Sequence, residues 1–161
     1  MITSNSSLFF RILVTVDSSN YTRRTFEYAI QLARVINAKV FVVHVVQNPA
    51  VTADALVSVS ELKTSFKKQG RELLSSLSSI AEAKFGTKVE TILEEGDPQK
   101  VILETAKKFN VNMIVIGSRG LSQIKELLLG SVPHSVTKHA DISVFVVQMR
   151  EAFFVTQSRS K

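Results

Sequence analysis

The chain has no cysteine and no tryptophan, and only two tyrosines, three prolines and six glycines among 161 residues. Without cysteine there is no disulfide framework, no thiol nucleophile and no Cys-ligated zinc site. A chain of this length buries roughly 70% of its unfolded surface, so it folds without such staples. Long apolar runs are also missing. No stretch approaches the roughly 20 residues that span a bilayer. The start Met1-Ile2-Thr3-Ser4-Asn5-Ser6-Ser7 is polar and lacks the charged start and apolar core of a secretory signal. A soluble, cytoplasmic protein of one domain is expected, with no membrane partner.

The formal charge is +6. The cations are dispersed: Arg23 and Arg24, Lys67, Lys68 and Arg71, Lys107 and Lys108, Arg159 and Lys161. No dense basic stripe and no nucleic-acid motif accompanies them. They read as a solvated surface rather than as a nucleic-acid interface.

What the chain does have is apolar strands alternating with amphipathic helices. Arg11 to Asp17 and Lys39 to Val46 are short, β-branched and almost continuously apolar, as strands covered on both faces must be. Between them, Phe26, Ala29, Ile30, Ala33 and Ile36 follow a helical period, with N-cap candidates at Ser18, Ser19 and Asn20. A loop over residues 47–57 containing Pro49 leads to a long helix over about 58–84. Val59, Leu62, Phe66, Leu73, Leu77 and Ile80 form its stripe. Gly70 within it marks a bend or a close packing contact. Residues 87–93 alternate like an edge strand. Gly96-Asp97-Pro98 starts a helix, with Asp97 as the cap and Pro98 in the first turn. Strands over 112–117 and 142–147 complete the pattern. Residues 1–10 and 149–161 are tails outside a domain over 11–148.

Strand and helix in alternation imply right-handed crossovers and a parallel sheet with helices on both faces. The expected fold is α/β, an open five-stranded sheet in the order 3-2-1-4-5. Ligands of such sheets bind beyond the carboxyl ends of the strands where the order reverses, here between the first and fourth strands. Asp17 ends the first and Gly117 the fourth.

Gly117-Ser118-Arg119-Gly120 is followed nine residues later by Gly130-Ser131, which opens a helix. The glycines suit turns of positive φ and close approach of another group. The helix start supplies free N–H groups and the positive end of a dipole, which suit phosphate. Neither GxxxxGK[ST] nor GxGxxG is present. The glycines serve as turn and packing residues or as a phosphate cradle.

These residues resemble the universal stress protein family over about Arg11 to Gln148. The resemblance rests on the first strand ending in Asp17, on His44-Val45-Val46, on Gly96-Asp97-Pro98, and above all on Gly117-Ser118-Arg119-Gly120 with Gly130-Ser131. The sequence departs at Asp141-Ile142, where many members have proline before the last strand. The resemblance implies an adenine nucleotide alpha hydrolase-like fold that binds ATP, with Mg²⁺ carried by its phosphates. It implies that Thr15, Val16 and Asp17 line the adenine and ribose end and that Val45 presents backbone to the base. Gly117, Ser118, Arg119 and Gly120 would wrap ribose and phosphates. Gly130, Ser131 and Val132 would hold the outer phosphates. It further implies a homodimer through the last strand, Val144, Phe145, Val146 and Val147, and a regulatory role in stress response with an unidentified protein partner.

Other readings remain beside this one. Asp17 can cap a helix as well as touch a ligand. Arg119 can be solvated or can pair a phosphate. His44 reads as a core histidine. His134 and His139 are five apart, so they do not share a helix face as a metal pair would. Ser131 has no His and Asp arrangement beside it and is no nucleophile. The competing functions are a member that binds no ATP and acts through protein contacts, and a slow ATP hydrolase. For hydrolysis, the loop offers only Ser118, Ser122, Gln123 and Glu126 to position water.

Overall fold

The computed structural model describes residues 10–47, 56–120 and 129–148. The 47–57 loop with Pro49 falls almost entirely outside the described residues, as do Ser122, Gln123, Glu126 and both tails beyond Phe10 and Gln148.

Five strands alternate with four helices: β1 (Arg11–Val16), α1 (Thr22–Ile36), β2 (Lys39–Val46), α2 (Leu56–Phe85), β3 (Val89–Glu95), α3 (Pro98–Lys108), β4 (Met113–Gly117), α4 (Ser131–His139) and β5 (Ser143–Val147). All pairings are parallel and the order is β3-β2-β1-β4-β5. This is the architecture the sequence implies. Val16 stands opposite His44, and Val14 opposite Val115, so the strands end together at one edge of the molecule.

The pleat divides the core in two. Ile12, Val14, Val40 and Val42 face α1 and α2, packing with Phe26, Ile30, Leu74 and Leu77. Leu13, Phe41, Val43, Ile114 and Ile116 face α3 and α4, packing with Ile102 and Val136. Burial on both faces explains why the central strands show no alternation.

Local chemistry shifts several expected boundaries. α1 starts at Thr22 with Tyr21 at the N-cap position and no side-chain cap. Ser18, Ser19 and Asn20 therefore do not cap it; Ser19 is bound to Asp17 instead. β3 runs over Val89–Glu95, two residues beyond the alternating pattern, because Glu94 and Glu95 pair in register with Val45 and Val46. α3 begins as expected: the Asp97 carboxylate accepts from the Gln99 amide at 3.1 Å, with Pro98 in the first turn. Gly96 before it has φ 135°, which glycine alone adopts readily.

α2 runs unbroken through Gly70. A Cβ there would stand 2.7 Å from His44 Cδ2 and 2.7 Å from Leu93 Cδ1. Of the two readings of Gly70, close packing is the one realised. The outer half of the expected stripe is not buried: Leu62 and Phe66 are exposed, whereas Leu77 is in the core. The helix overhangs the sheet at the end where the strands terminate.

Candidate functional site

The carboxyl ends of β1, β2 and β4 open into a cavity of about 530 Å³, within the roughly 300–1,000 Å³ usual for small-molecule sites. Thr15, Val16, Asp17, Val45, Gly117, Arg119, Gly120, Gly130, Ser131 and Val132 all line it. Ser118 does not. It is buried, and its backbone braces the rim: its amide donates to Val147 O and its carbonyl accepts from Gly130 N, both at 2.9 Å.

Asp17 organises the turn after β1. Its Oδ1 accepts from the Ser19 amide at 3.0 Å and from the Thr22 hydroxyl at 2.7 Å, with the Ser19 hydroxyl beside it. The Asp17 amide in turn donates to Thr22 Oγ1 at 2.9 Å. The other oxygen, Oδ2, lies against Gly120: a Cβ on Gly120 would stand 2.5 Å from it. The close approach expected of the glycine loop is thus a contact with Asp17.

The expectation of positive φ at the cradle is not met at Gly120 or Gly130. Gly130 has φ −67° and ψ 169°, an extended conformation open to any residue, and the positive-φ glycines among the described residues are Gly86 and Gly96. A Cβ at Gly130 would meet only ordinary contacts, 3.6 Å from Pro133 Cδ and 3.7 Å from Ser118 O. The backbone needs glycine here for neither conformation nor internal packing.

Gly130 is the N-cap of α4 and supplies no side chain to its first turn. Pro133 has no N–H. The Ser131 and Val132 amides are therefore the first-turn donors left without helical partners, and both residues line the cavity. Arg119 also lines it, half-buried, with no carboxylate among the described residues in ion-pair reach. Two amides at a helix N-terminus and one guanidinium make this end of the cavity suited to an anion.

Residues that the sequence reading left out complete the walls. Val43, Ile102 and Ile116 form an apolar compartment on the α3 and α4 side, with Pro98 at its edge. Thr22, Thr25, His44, Phe66 and Gln69 line the opposite, α1 and α2 side. Their signal was present but ambiguous, because each also fits a helical stripe, a helix start or a strand core. α2 is tied to the strand ends by Lys67 and Lys63, which both reach Glu95. Hydrogen bonding first from Lys67 and then from Lys63 holds the Glu95 carboxyl below its usual pKa. Among the described residues, no three His, Asp or Glu side chains gather into a metal-binding group.

A model of the universal stress protein family matches residues 9–148. The chain belongs to this family. The universal stress protein YxiE of Bacillus subtilis is 33% identical over 149 residues, covering 88% of this chain and 100% of the relative. Among solved structures, the universal stress protein UspA from Lactobacillus plantarum superposes with a TM-score of 0.79 at 25% identity, covering 86% of this chain and 97% of that one. The universal stress protein from Archaeoglobus fulgidus in complex with dAMP superposes at 0.59 with 26% identity, covering 86% and 97%. Among the described residues, no helix is long and apolar enough to cross a membrane.

Proposed function

We propose that this universal stress protein binds ATP, with Mg²⁺ carried on its phosphates, and works as a nucleotide-responsive regulatory module in the form of a homodimer. The observation that carries this reading is the union, in one cavity, of an apolar compartment with the uncapped start of α4. The base would lie among Val43, Ile102 and Ile116, near the backbone of Val45. Asp17 Oδ2 would accept from a ribose hydroxyl, beside Thr15 and Val16. Gly117 and Gly120 let the chain come close to the sugar and phosphates. The amides of Ser131 and Val132, the Ser131 hydroxyl and Arg119 would hold phosphate oxygens. Gly130 leaves the mouth of α4 unobstructed. With no acidic cluster among the described residues, the divalent ion takes its shell from phosphate oxygens and water. The dAMP complex of the Archaeoglobus fulgidus relative supports an adenine nucleotide.

The test is to denature protein purified without added nucleotide and to identify what is released, then to titrate the emptied protein with Mg²⁺-ATP. Released ATP and saturable binding are expected. No release and no binding overturn the reading and favour a member that acts through protein contacts alone. ADP accumulating in the same sample on incubation would mark a slow hydrolase.

A further inference from the structure

The cavity continues past the strand ends onto the α1 and α2 face, and there its lining changes character. We propose that this second compartment is a binding subsite for a planar ring bearing an N–H donor, a second nucleoside held beside the first. The proposal rests on the nucleotide reading for the first ligand but concerns different residues.

His44 is the floor. The residues before and after it on the same face of β2 are valines, Val42 and Val46, and packing alone would be served by another. The imidazole is buried, and its Nδ1 lies 2.9 Å from Val16 O, a carbonyl that can only accept. Nδ1 therefore carries the proton in the neutral ring, and Nε2 is left as an acceptor. Among the described residues, no buried side-chain nitrogen or oxygen lacks a partner. Nε2 has no hydrogen-bond partner among the described residues, so it is not sealed from solvent, and the cavity is the open space that His44 borders. Nε2 asks for a donor from a ligand.

Gly70 brings α2 onto the Cδ2–Nε2 edge of that ring: a Cβ there would stand 2.7 Å from His44 Cδ2 and 3.3 Å from Nε2, whereas glycine leaves that edge uncovered. The same helix presents Gln69, directly before Gly70, and Phe66, one turn earlier, to the cavity. Phe66 is 38% exposed on a helix whose lower half is buried in the core. An aromatic face beside an amide and an imidazole acceptor offers stacking together with directional hydrogen bonds, which is the chemistry of base recognition. Thr25 closes the inner wall. None of these side chains is needed for the phosphate cradle, which lies across the strand ends at α4.

Such a ring can arrive in two ways: as a free nucleoside beside a mononucleotide, or as the second nucleoside of a dinucleoside polyphosphate. Calorimetric titration of adenosine into protein saturated with Mg²⁺-ATP tests the subsite. A further saturable event is expected, weakened at least tenfold in Phe66→Ser and in Gln69→Leu, with ATP affinity within about twofold of the parent. Both residues are exposed, so folding is retained. In nitrogen-15 spectra, the His44 Nε2 resonance should shift on adding adenosine and not on adding ATP. A dinucleoside tetraphosphate that binds more tightly than ATP and blocks the adenosine event identifies the bridged source. If it leaves that event intact, the free nucleoside is the ligand. Absence of the adenosine event, adenosine simply displacing ATP, or equal loss of both ligands in the variants overturns the proposal. Protein that takes adenosine with the His44 signature but no ATP keeps the subsite and loses the nucleotide reading.

Discussion

At the scale of single residues, Asp17 carries two loads that its neighbours separate. Oδ1 holds the turn through Ser19 and Thr22, while Oδ2 is turned toward Gly120. Asp17→Ala should therefore weaken Mg²⁺-ATP by about 1.5–3 kcal/mol, the range for hydrogen bonds to charged groups. It should also lower stability by about 1 kcal/mol through the loosened turn. Calorimetry and thermal melting on one sample separate the two. Unchanged affinity with a large loss of stability would make the residue purely structural. The two glycines of the cradle should behave differently. Gly120→Ala places a methyl group into the Asp17 carboxylate, so ATP affinity should fall at least tenfold (about 1.4 kcal/mol). Gly130→Ala has room and an ordinary φ, so its stability should fall by no more than the N-cap preference of glycine over alanine, about 1 kcal/mol, and any further loss should appear only in ATP titration. A Gly130→Ala protein destabilised beyond that would contradict the geometry. The spacing of these glycines made the rim of the cavity legible in sequence. Their conformation was not legible, because a glycine at a cavity mouth and a glycine that bends the chain look the same in one dimension. His44 shows the same ambiguity: an apolar run declares burial, but not that the imidazole borders a cavity.

At the scale of elements, the strands and helices were legible because each carries a strong period or a capped start, as at Asp97-Pro98. What could not be read was where α2 leaves the sheet. Leu62 and Phe66 continue the same stripe as Leu77, yet only the latter meets the core. The sheet beneath α2 ends at Val46 and Glu95, and no periodicity within the helix records that. Gly70→Ala tests how closely α2 is seated. Alanine gains about 1 kcal/mol of helix propensity, but the added methyl would overlap His44 and Leu93. Overpacking of this kind costs about 1–3 kcal/mol. Net destabilisation in urea is expected, and a stabilised variant would show that the contact relaxes freely. The α1–α2 pair is also joined by Lys84, which donates to Glu27 at 3.0 Å, with Arg23 at 3.1 Å. The Lys84 hydrogen bond holds the Glu27 carboxyl below its usual pKa, against the opposing effect of burial and with a lesser contribution from the Arg23 hydrogen bond. The unfolded chain thus binds this proton more readily. The contribution is complete above the unfolded pKa of about 4.3 and fades as pH falls through the lower folded value. Glu27→Gln should cost at most about 1 kcal/mol at pH 7, as for a surface pair. In urea titrations the difference from the parent should vanish in acid below that window.

At the scale of the whole molecule, the sheet has two unlike edges. β3 carries Glu90, Glu94 and Glu95, charges that discourage further pairing. β5 carries Val144, Phe145 and Val146, with Phe145 exposed. An apolar outer strand invites a twofold partner, and closure of that contact stops at two copies. Phe145→Pro should therefore shift sedimentation toward monomer at micromolar concentration while ATP binding persists. A parent that sediments as a monomer with and without ATP overturns the dimer. The strand order has one more consequence, and it concerns time. Ile12, Leu13 and Val14 of β1 pair on one side with β2 and on the other with Met113, Ile114 and Val115, about a hundred positions later. At about 5–20 residues per second, the ribosome leaves the free side of β1 without its neighbour for roughly 5–20 seconds. The first three strands can assemble in that interval, but β1 faces an empty lane on its other side. Gly117, Gly130 and Ser131 emerge only with or after β4, so a nucleotide held by them, as proposed, could not recognise the chain before the missing neighbour of β1 is made. A ligand bound there would certify synthesis past β4, and a chain cut short before β4 would expose its central strand to any passing edge.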